Sequence, residues 1–334
     1  MLESQFLRQG PKHLILHVTN RCNLRCKNCF IDFERADKRE ISPEKIEELA
    51  VYLKRLIWLD IGGGEPFLRP DLPKICAAFD TKALSIPTNG FDPALIKEMA
   101  REVRKNVKAE VNISLSIDGF EAVNDEMRGG GSFRKALETL KALKSVDGIR
   151  IKVNTVVCDR NYNELIGFMQ FIRKFDIDFH SIIFLRPAKN SVYPFTRPSY
   201  ENLLRIKKDI FKIWDSYDYG LDNFKKSVLK EYQRRMYEAS LQVIKEKRQI
   251  PNCLAGRFHL VIWANGDISF CETLKPFGNI NHEEIGKLLK SDRAGSMRKC
   301  IRAKNCFCHH NCNLMDNFFL SPVKYPQLLS GIFK

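Results

Sequence analysis

The chain has 334 residues, and 55 Lys and Arg against 40 Asp and Glu give it a formal net charge of +15. That length buries a large core without cross-links. Eleven cysteines behind a polar N-terminus with no apolar leader (Met1 to Lys12) therefore point to a reduced, cytoplasmic setting, not a secreted disulfide scaffold. No apolar run approaches the roughly 20 residues that cross a bilayer. The basic excess suits an acidic or phosphorylated partner, but it is diffuse and is not interleaved with aromatics, which argues against nucleic acid.

From His13 onward, short apolar runs alternate with amphipathic stretches, the rhythm of a parallel sheet crossed by helices. Strands are predicted at His13–Val18, Trp58–Ile61, Ala83–Pro87, Val111–Ile117, Ile149–Val157 and Phe179–Leu185. Helices are predicted at Pro43–Lys54 behind a Ser42 cap, and at Asp71–Phe79, Pro93–Lys105, Ser132–Val146 and Asn163–Lys174. Six such units make a partial (β/α)6 barrel of the TIM type, an α/β fold whose chemistry belongs on the loops leaving the C-terminal strand ends. The helix after the sixth strand is not evident. Prolines at 187, 194 and 198 break the rhythm, and two long helical patterns follow, about Tyr200–Trp214 and Leu221–Lys247. In the second, Leu221, Phe224, Val228, Tyr232, Met236, Ala239 and Val243 form one apolar stripe. After Pro251 comes a segment with six of the eleven cysteines. The expected division is a barrel over 1–190, a helical connector over 191–250 and a small cysteine-rich domain over 251–334.

Cys22, Cys26 and Cys29 form a C-x-x-x-C-x-x-C run in the loop after the first strand. Three thiolates can hold three irons of a four-iron cluster and leave the fourth open, whereas structural zinc takes four ligands. A zinc site with a further ligand and three buried thiols are the alternatives. Gly62, Gly63, Gly64, Glu65 and Pro66 leave the second strand; the glycines allow close backbone approach and the carboxylate can accept from an ammonium group. Thr88, Asn89 and Gly90 leave the third strand. Ser114, Ser116 and Asp118 alternate near the end of the fourth.

These motifs resemble the radical S-adenosylmethionine (SAM) superfamily. The resemblance implies a [4Fe–4S] cluster on Cys22, Cys26 and Cys29 whose free iron chelates SAM, reductive cleavage to a 5'-deoxyadenosyl radical, and hydrogen abstraction from substrate. It also implies that Gly63, Gly64 and Glu65 bind the methionine amino group, that Asn89, Ser114, Ser116 and Asp118 hold the ribose and carboxylate, and that Arg128 lies near that carboxylate. Asn154, Val156 and Leu185 to Pro187 are further candidates for lining the adenosine. Asn28 stands where the family carries an aromatic, so Phe30 is expected to cover the adenine. An electron donor such as flavodoxin or ferredoxin is implied.

Towards the C-terminus, Asn265-Gly266 between apolar residues signals a hairpin that would bring Cys253 and Cys271 together. With Cys300, Cys306, Cys308 and Cys312 this resembles the SPASM or twitch extension, which carries auxiliary clusters. One auxiliary cluster is expected, on Cys253, Cys271, Cys312 and either Cys306 or Cys308. Zinc is the alternative, with His309 and His310 as further ligands. A spare cysteine could donate a hydrogen atom. Glu272, directly after Cys271, sits where some relatives carry a carboxylate that deprotonates the substrate radical; a plain surface glutamate is the other reading. Cys76 and Cys158 are expected in the core.

The expected function is hydrogen abstraction from a carbohydrate or other small molecule, leading to oxidation or epimerisation. The first strand begins close to the N-terminus, leaving no room for a peptide-binding domain; maturation of a ribosomal peptide is the alternative. A non-catalytic electron carrier or zinc-binding module is the competing class.

Overall fold

The computed structural model describes residues 10–31, 39–186, 194–250, 252–309 and 311–319, the side chains at 312, 313 and 319 excepted. The calls on Pro187, His310 and the Cys312 side chain lie outside the described residues.

Six parallel strands run in the order β6-β5-β4-β3-β2-β1: β1 (His13–Thr19), β2 (Leu56–Gly63), β3 (Thr81–Thr88), β4 (Glu110–Ser116), β5 (Ile149–Val157) and β6 (Phe179–Phe184). Leu14, Leu59, Leu84, Val111 and Val153 are fully buried, because a parallel sheet wrapped by helices is shielded on both faces. The helices between strands start where local chemistry dictates. Ser42 and Asp92 accept from the backbone amides of Lys45 and Leu95, and prolines at the first helical position pre-set φ in α1 (Pro43–Leu53) and α3 (Pro93–Asn106). Between them lies α2 (Leu72–Ala78). A short helix that the sequence did not signal, α4 (Glu121–Arg128), precedes α5 (Ser132–Leu143) and carries Arg128 in its last turn. After β5 comes α6 (Leu165–Arg173).

The helix missing from the sixth unit is α7 (Tyr200–Asp215), whose Trp214 indole donates to the His180 carbonyl on β6 at 2.9 Å. The single apolar stripe expected on the next helix, α8 (Asn223–Glu246), is corrected to two buried faces. Tyr237, Leu241 and Ile244 join the main core, while Tyr232, Met236 and Ala239 pack with Leu314 and Phe318. Phe224 is exposed.

The cysteine-rich segment continues the barrel's own sheet. Strand β7 (His259–Ile262) pairs in parallel with β1, and β8 (Asp267–Ser269) and β9 (Gly278–Asn279) add antiparallel strands. The hairpin falls as expected, with Gly266 at φ +89° closing the loop after Asn265. Helices α9 (Ile285–Lys290), α10 (Asp292–Arg302) and α11 (Asn311–Phe319) complete the described chain.

Candidate functional site

A cleft of about 340 Å³ opens at the C-terminal strand ends, where barrels place their chemistry. The loop leaving β1 carries Cys22, Cys26 and Cys29 over its edge, and all three line it. Asn89 Nδ2 donates to Cys22 Sγ at 3.6 Å and Arg128 Nη1 approaches Cys26 Sγ at 4.0 Å. Burial raises the pKa of each thiol, that of Cys29 to about 11. Thiolates at this depth need positive charge among them, which iron supplies. Three thiols on one loop, all lining one cleft, make an all-sulfur donor set that fits a multi-iron cluster.

The glycines after β2 serve the loop above them. A Cβ on Gly64 would lie 2.2 Å from the Arg21 carbonyl oxygen, and one on Gly63, at φ +133°, 2.3 Å from that of Thr19. Bare backbone lets Gly64 and Glu65 amides donate to Thr19 and Arg21, both at 2.8 Å, fixing the cysteine loop to the barrel rim. Glu65 is buried and accepts from the Asn89 amide at 2.7 Å and the Thr88 hydroxyl at 2.9 Å. Burial still pushes it up to about 7, against those hydrogen bonds. Such a carboxylate fits an incoming amino group.

The other expected contacts divide. Ser116, Asn154, Val156, Arg128 and Phe30 line the cleft. Ser114 and Asp118 are buried and do not. Asp118 ion-pairs with Arg128 at 2.8 Å and accepts from the Val156 amide at 2.8 Å, which turns it from a ligand contact into the support of Arg128. Leu185 is buried in a side cluster with Cys158 and Met127.

At the far wall Glu272 is held from two sides: Arg186 Nη1 donates to its Oε2 at 3.0 Å, and His17 Nε2 lies 3.1 Å from Oε1. His17 stacks on Trp263 with ring centroids 4.5 Å apart, and the Arg186 guanidinium covers the Phe30 ring at 4.9 Å. The plain surface reading of Glu272 is thereby replaced: the side chain is buried and faces the cleft. Arg186 was marked only within the Leu185 to Pro187 stretch expected to line the adenosine, and His17 went unmarked because it sits in an apolar strand run; the two-residue steps His13, Ile15, His17 put all three on one face of β1, the available signal. Cys253, Cys271, Cys306 and Cys308 are near enough to act electrostatically on one another at Cys253, while Cys300 lies on α10. His309 Nε2 takes a hydrogen bond from Arg197 at 3.1 Å. Cys76 and Cys158 are fully buried.

A partial parallel barrel with an open three-thiol loop at its mouth and a second thiol cluster beside it defines the class. Residues 16–172 match the model of the radical SAM superfamily, and residues 253–313 match the SPASM iron–sulfur cluster-binding domain. The chain belongs to the radical SAM superfamily and carries a SPASM domain: it is an enzyme whose cofactors are [4Fe–4S] clusters and SAM.

Among curated relatives, a probable GTP 3',8-cyclase of Archaeoglobus fulgidus is 34% identical over 49% of this chain and 55% of its own length. The mycofactocin maturase MftC of Mycolicibacterium smegmatis is 31% identical over 56% of this chain and 48% of its own. The antilisterial bacteriocin subtilosin biosynthesis protein AlbA of Bacillus subtilis is 26% identical over 84% of this chain and 60% of its own. The chain spans about half the length of the first of these curated relatives. The crystal structure of Streptococcus suis SuiB bound to SAM has the same fold, with a TM-score of 0.60 at 17% identity over 87% of this chain and 68% of that one. No helix among the described residues is long and apolar enough to cross a membrane.

Proposed function

We propose that this enzyme modifies a peptide by a two-electron oxidation: a hydrogen atom is abstracted from one residue, a proton then passes to Glu272, and the remaining electron passes to the auxiliary cluster. The observation that carries the reading is the clamp on Glu272, adjacent in sequence to Cys271 and facing the cleft that the three-cysteine loop overhangs. The peptide is supported by relatives named for mycofactocin maturation and bacteriocin biosynthesis, the second spanning most of this chain, and by SuiB, solved with its precursor peptide SuiA. This departs from the carbohydrate or small molecule expected from sequence.

Bound at these sites, the clusters and SAM supply electron transfer and the 5'-deoxyadenosyl radical, with flavodoxin or ferredoxin as electron source. Of the cleft-lining residues, Glu65 would accept from the methionine amino group, Arg128 would pair with its carboxylate, and Ser116 and Asn154 would hold the nucleoside end. Asp118 orients Arg128. Arg186 and His17 hold the two carboxylate oxygens of Glu272 at 3.0 and 3.1 Å and aim the side chain into the cleft. The sulfurs of Cys253, Cys271, Cys306, Cys308 and Cys312 are the ligand pool of the auxiliary site.

The test is anaerobic reconstitution with dithionite and SAM, offering a precursor peptide encoded beside this gene against a panel of UDP-sugars. The expected result is 5'-deoxyadenosine formation stimulated by the peptide, with a mass change in it. In E272Q, deoxyadenosine should still form while modified peptide falls at least a hundredfold, in the range of a lost general base. Stimulation by sugars alone would sink the peptide reading.

A further inference from the structure

The second thiol cluster has an inner and an outer side. Cys271 is buried and directly precedes Glu272 at the cleft wall, whereas Cys306 and Cys308 are half-buried and flank Phe307, which is 50% exposed. Each turnover of a two-electron oxidation adds one electron to the auxiliary cluster, which must hand it on before the next turnover. The cleft is on the buried side, so a protein acceptor meets the cluster at Phe307.

The outer side is strongly basic. The stretches 245–257 and 292–309 hold nine Lys and Arg against two acidic residues, in a chain with 55 against 40. Tertiary contacts bring these stretches together. The Cys308 amide donates to Gln249 Oε1 at 3.2 Å, which sets Lys247 and Arg248 beside the thiol segment. Arg298 Nε donates to the Gly256 carbonyl at 2.8 Å, which joins Arg257 to Lys299 and Arg302 at the end of α10. Lys304 follows, two residues before Cys306. Lys247, Arg257, Lys299, Arg302 and Lys304 are exposed, and among the described residues none closes an ion pair with a carboxylate. A cation in the last turn of a helix answers the helix dipole, but that accounts neither for Arg257, in a loop, nor for the meeting of three segments around one group of thiols. Phe307 is the one aromatic in these stretches, short of the stacking set of a nucleic-acid binder.

We infer that this basic face docks a small acidic one-electron carrier protein, which draws the electron from the reduced auxiliary cluster past Phe307. The inference rests on the proposed two-electron oxidation. No bond forms or breaks in the step: the cluster is oxidised and the carrier reduced by one electron. Opposite charge on the two surfaces speeds encounter and fixes orientation more than it adds affinity, which suits a partner that must leave after each transfer.

The test is stopped-flow electron transfer from the reduced auxiliary cluster of the reconstituted C22A/C26A/C29A protein, freed of dithionite, to oxidised flavodoxin, an acidic carrier whose semiquinone absorbs apart from iron–sulfur. The expected second-order rate constant falls at least about tenfold between roughly 10 and 150 mM salt, as the screening length shortens from about 30 to 8 Å. At low salt K299E/R302E should lose at least about tenfold, while R101E/K105E, which makes the same change of charge on α3, should stay within about twofold. An uncharged quinone, which no charged face steers, should oxidise the cluster equally fast in all three proteins. Flavodoxin rates that ignore salt, or that fall equally in both variants, overturn the inference. Unchanged flavodoxin rates in K299E/R302E with weakened binding of the precursor peptide overturn it too, and make the face a peptide site. The assay holds no substrate, so failure to modify any peptide leaves its outcome unchanged. A C22A/C26A/C29A protein that binds no iron overturns the electron step of the proposed function, and the docking with it.

Discussion

Glu65 shows how one side chain can be legible in type and not in environment. The Gly-Gly-Glu run marked a carboxylate after β2, but its burial, its donors Thr88 and Asn89 and its raised pKa come from β3 standing alongside, and only the Phe67 amide is a local donor. The sign of the consequence follows. A carboxyl at about 7 in the fold and near its ordinary 4.5 when unfolded stabilises the protein fully below about 4.5, and that contribution is lost as pH rises through 7. Without SAM, urea midpoints of wild type and E65Q should therefore diverge in favour of E65Q between pH 5 and 7.5, by up to about 3 kcal/mol at roughly 1.4 kcal/mol per pKa unit. Parallel curves would show that Glu65 ionises normally. Ser114 and Asp118 illustrate the reverse case. Alternation put them on the same side as Ser116, yet the cleft ends at Ser116, and Arg128, arriving on the unmarked helix α4, claims Asp118.

At the scale of elements, the strands were readable because strands covered on both faces need unbroken apolar runs, and the helices because their caps and prolines are local. Helix α8 was misread in one respect. A search for one apolar stripe finds one, whereas a helix held between two bodies needs two, and here they are offset by a single residue, as Met236 and Tyr237 show. Leu241, which faces the main core, was not in the expected stripe, and Phe224, which was, is 58% exposed. L241A should cost about 2–5 kcal/mol in chemical denaturation, and F224S should stay within about 0.5 kcal/mol. Equal losses from both would refute this arrangement of faces.

For the whole molecule, the feature that matters is that β7 covers the edge of β1. An uncovered edge strand presents unpaired amides and carbonyls to other chains, and all seven residues of β1 are buried. A chain ended after Arg248 should consequently run as aggregate in size exclusion under conditions where the full chain does not; a monodisperse, folded barrel would show that β1 tolerates exposure. The same pairing carries His259 next to His13 and brings Glu272, directly after Cys271, to the cleft wall, so the second thiol cluster and the cleft share one continuous sheet.

The sequence by itself determined the cofactor chemistry and the barrel, because thiol spacing, glycine turns and strand-helix alternation are short-range patterns that fold wherever they occur. Only the tertiary structure decided which polar groups act together. Asp60 with His13, Asp316 with His259, and Arg186 with His17 around Glu272 are separated by up to hundreds of residues and lie in stretches that read as ordinary strand or helix. What joins them is the parallel register of β1 with β2 and β7 and the docking of α11, and no pattern confined to one segment specifies a partner in another.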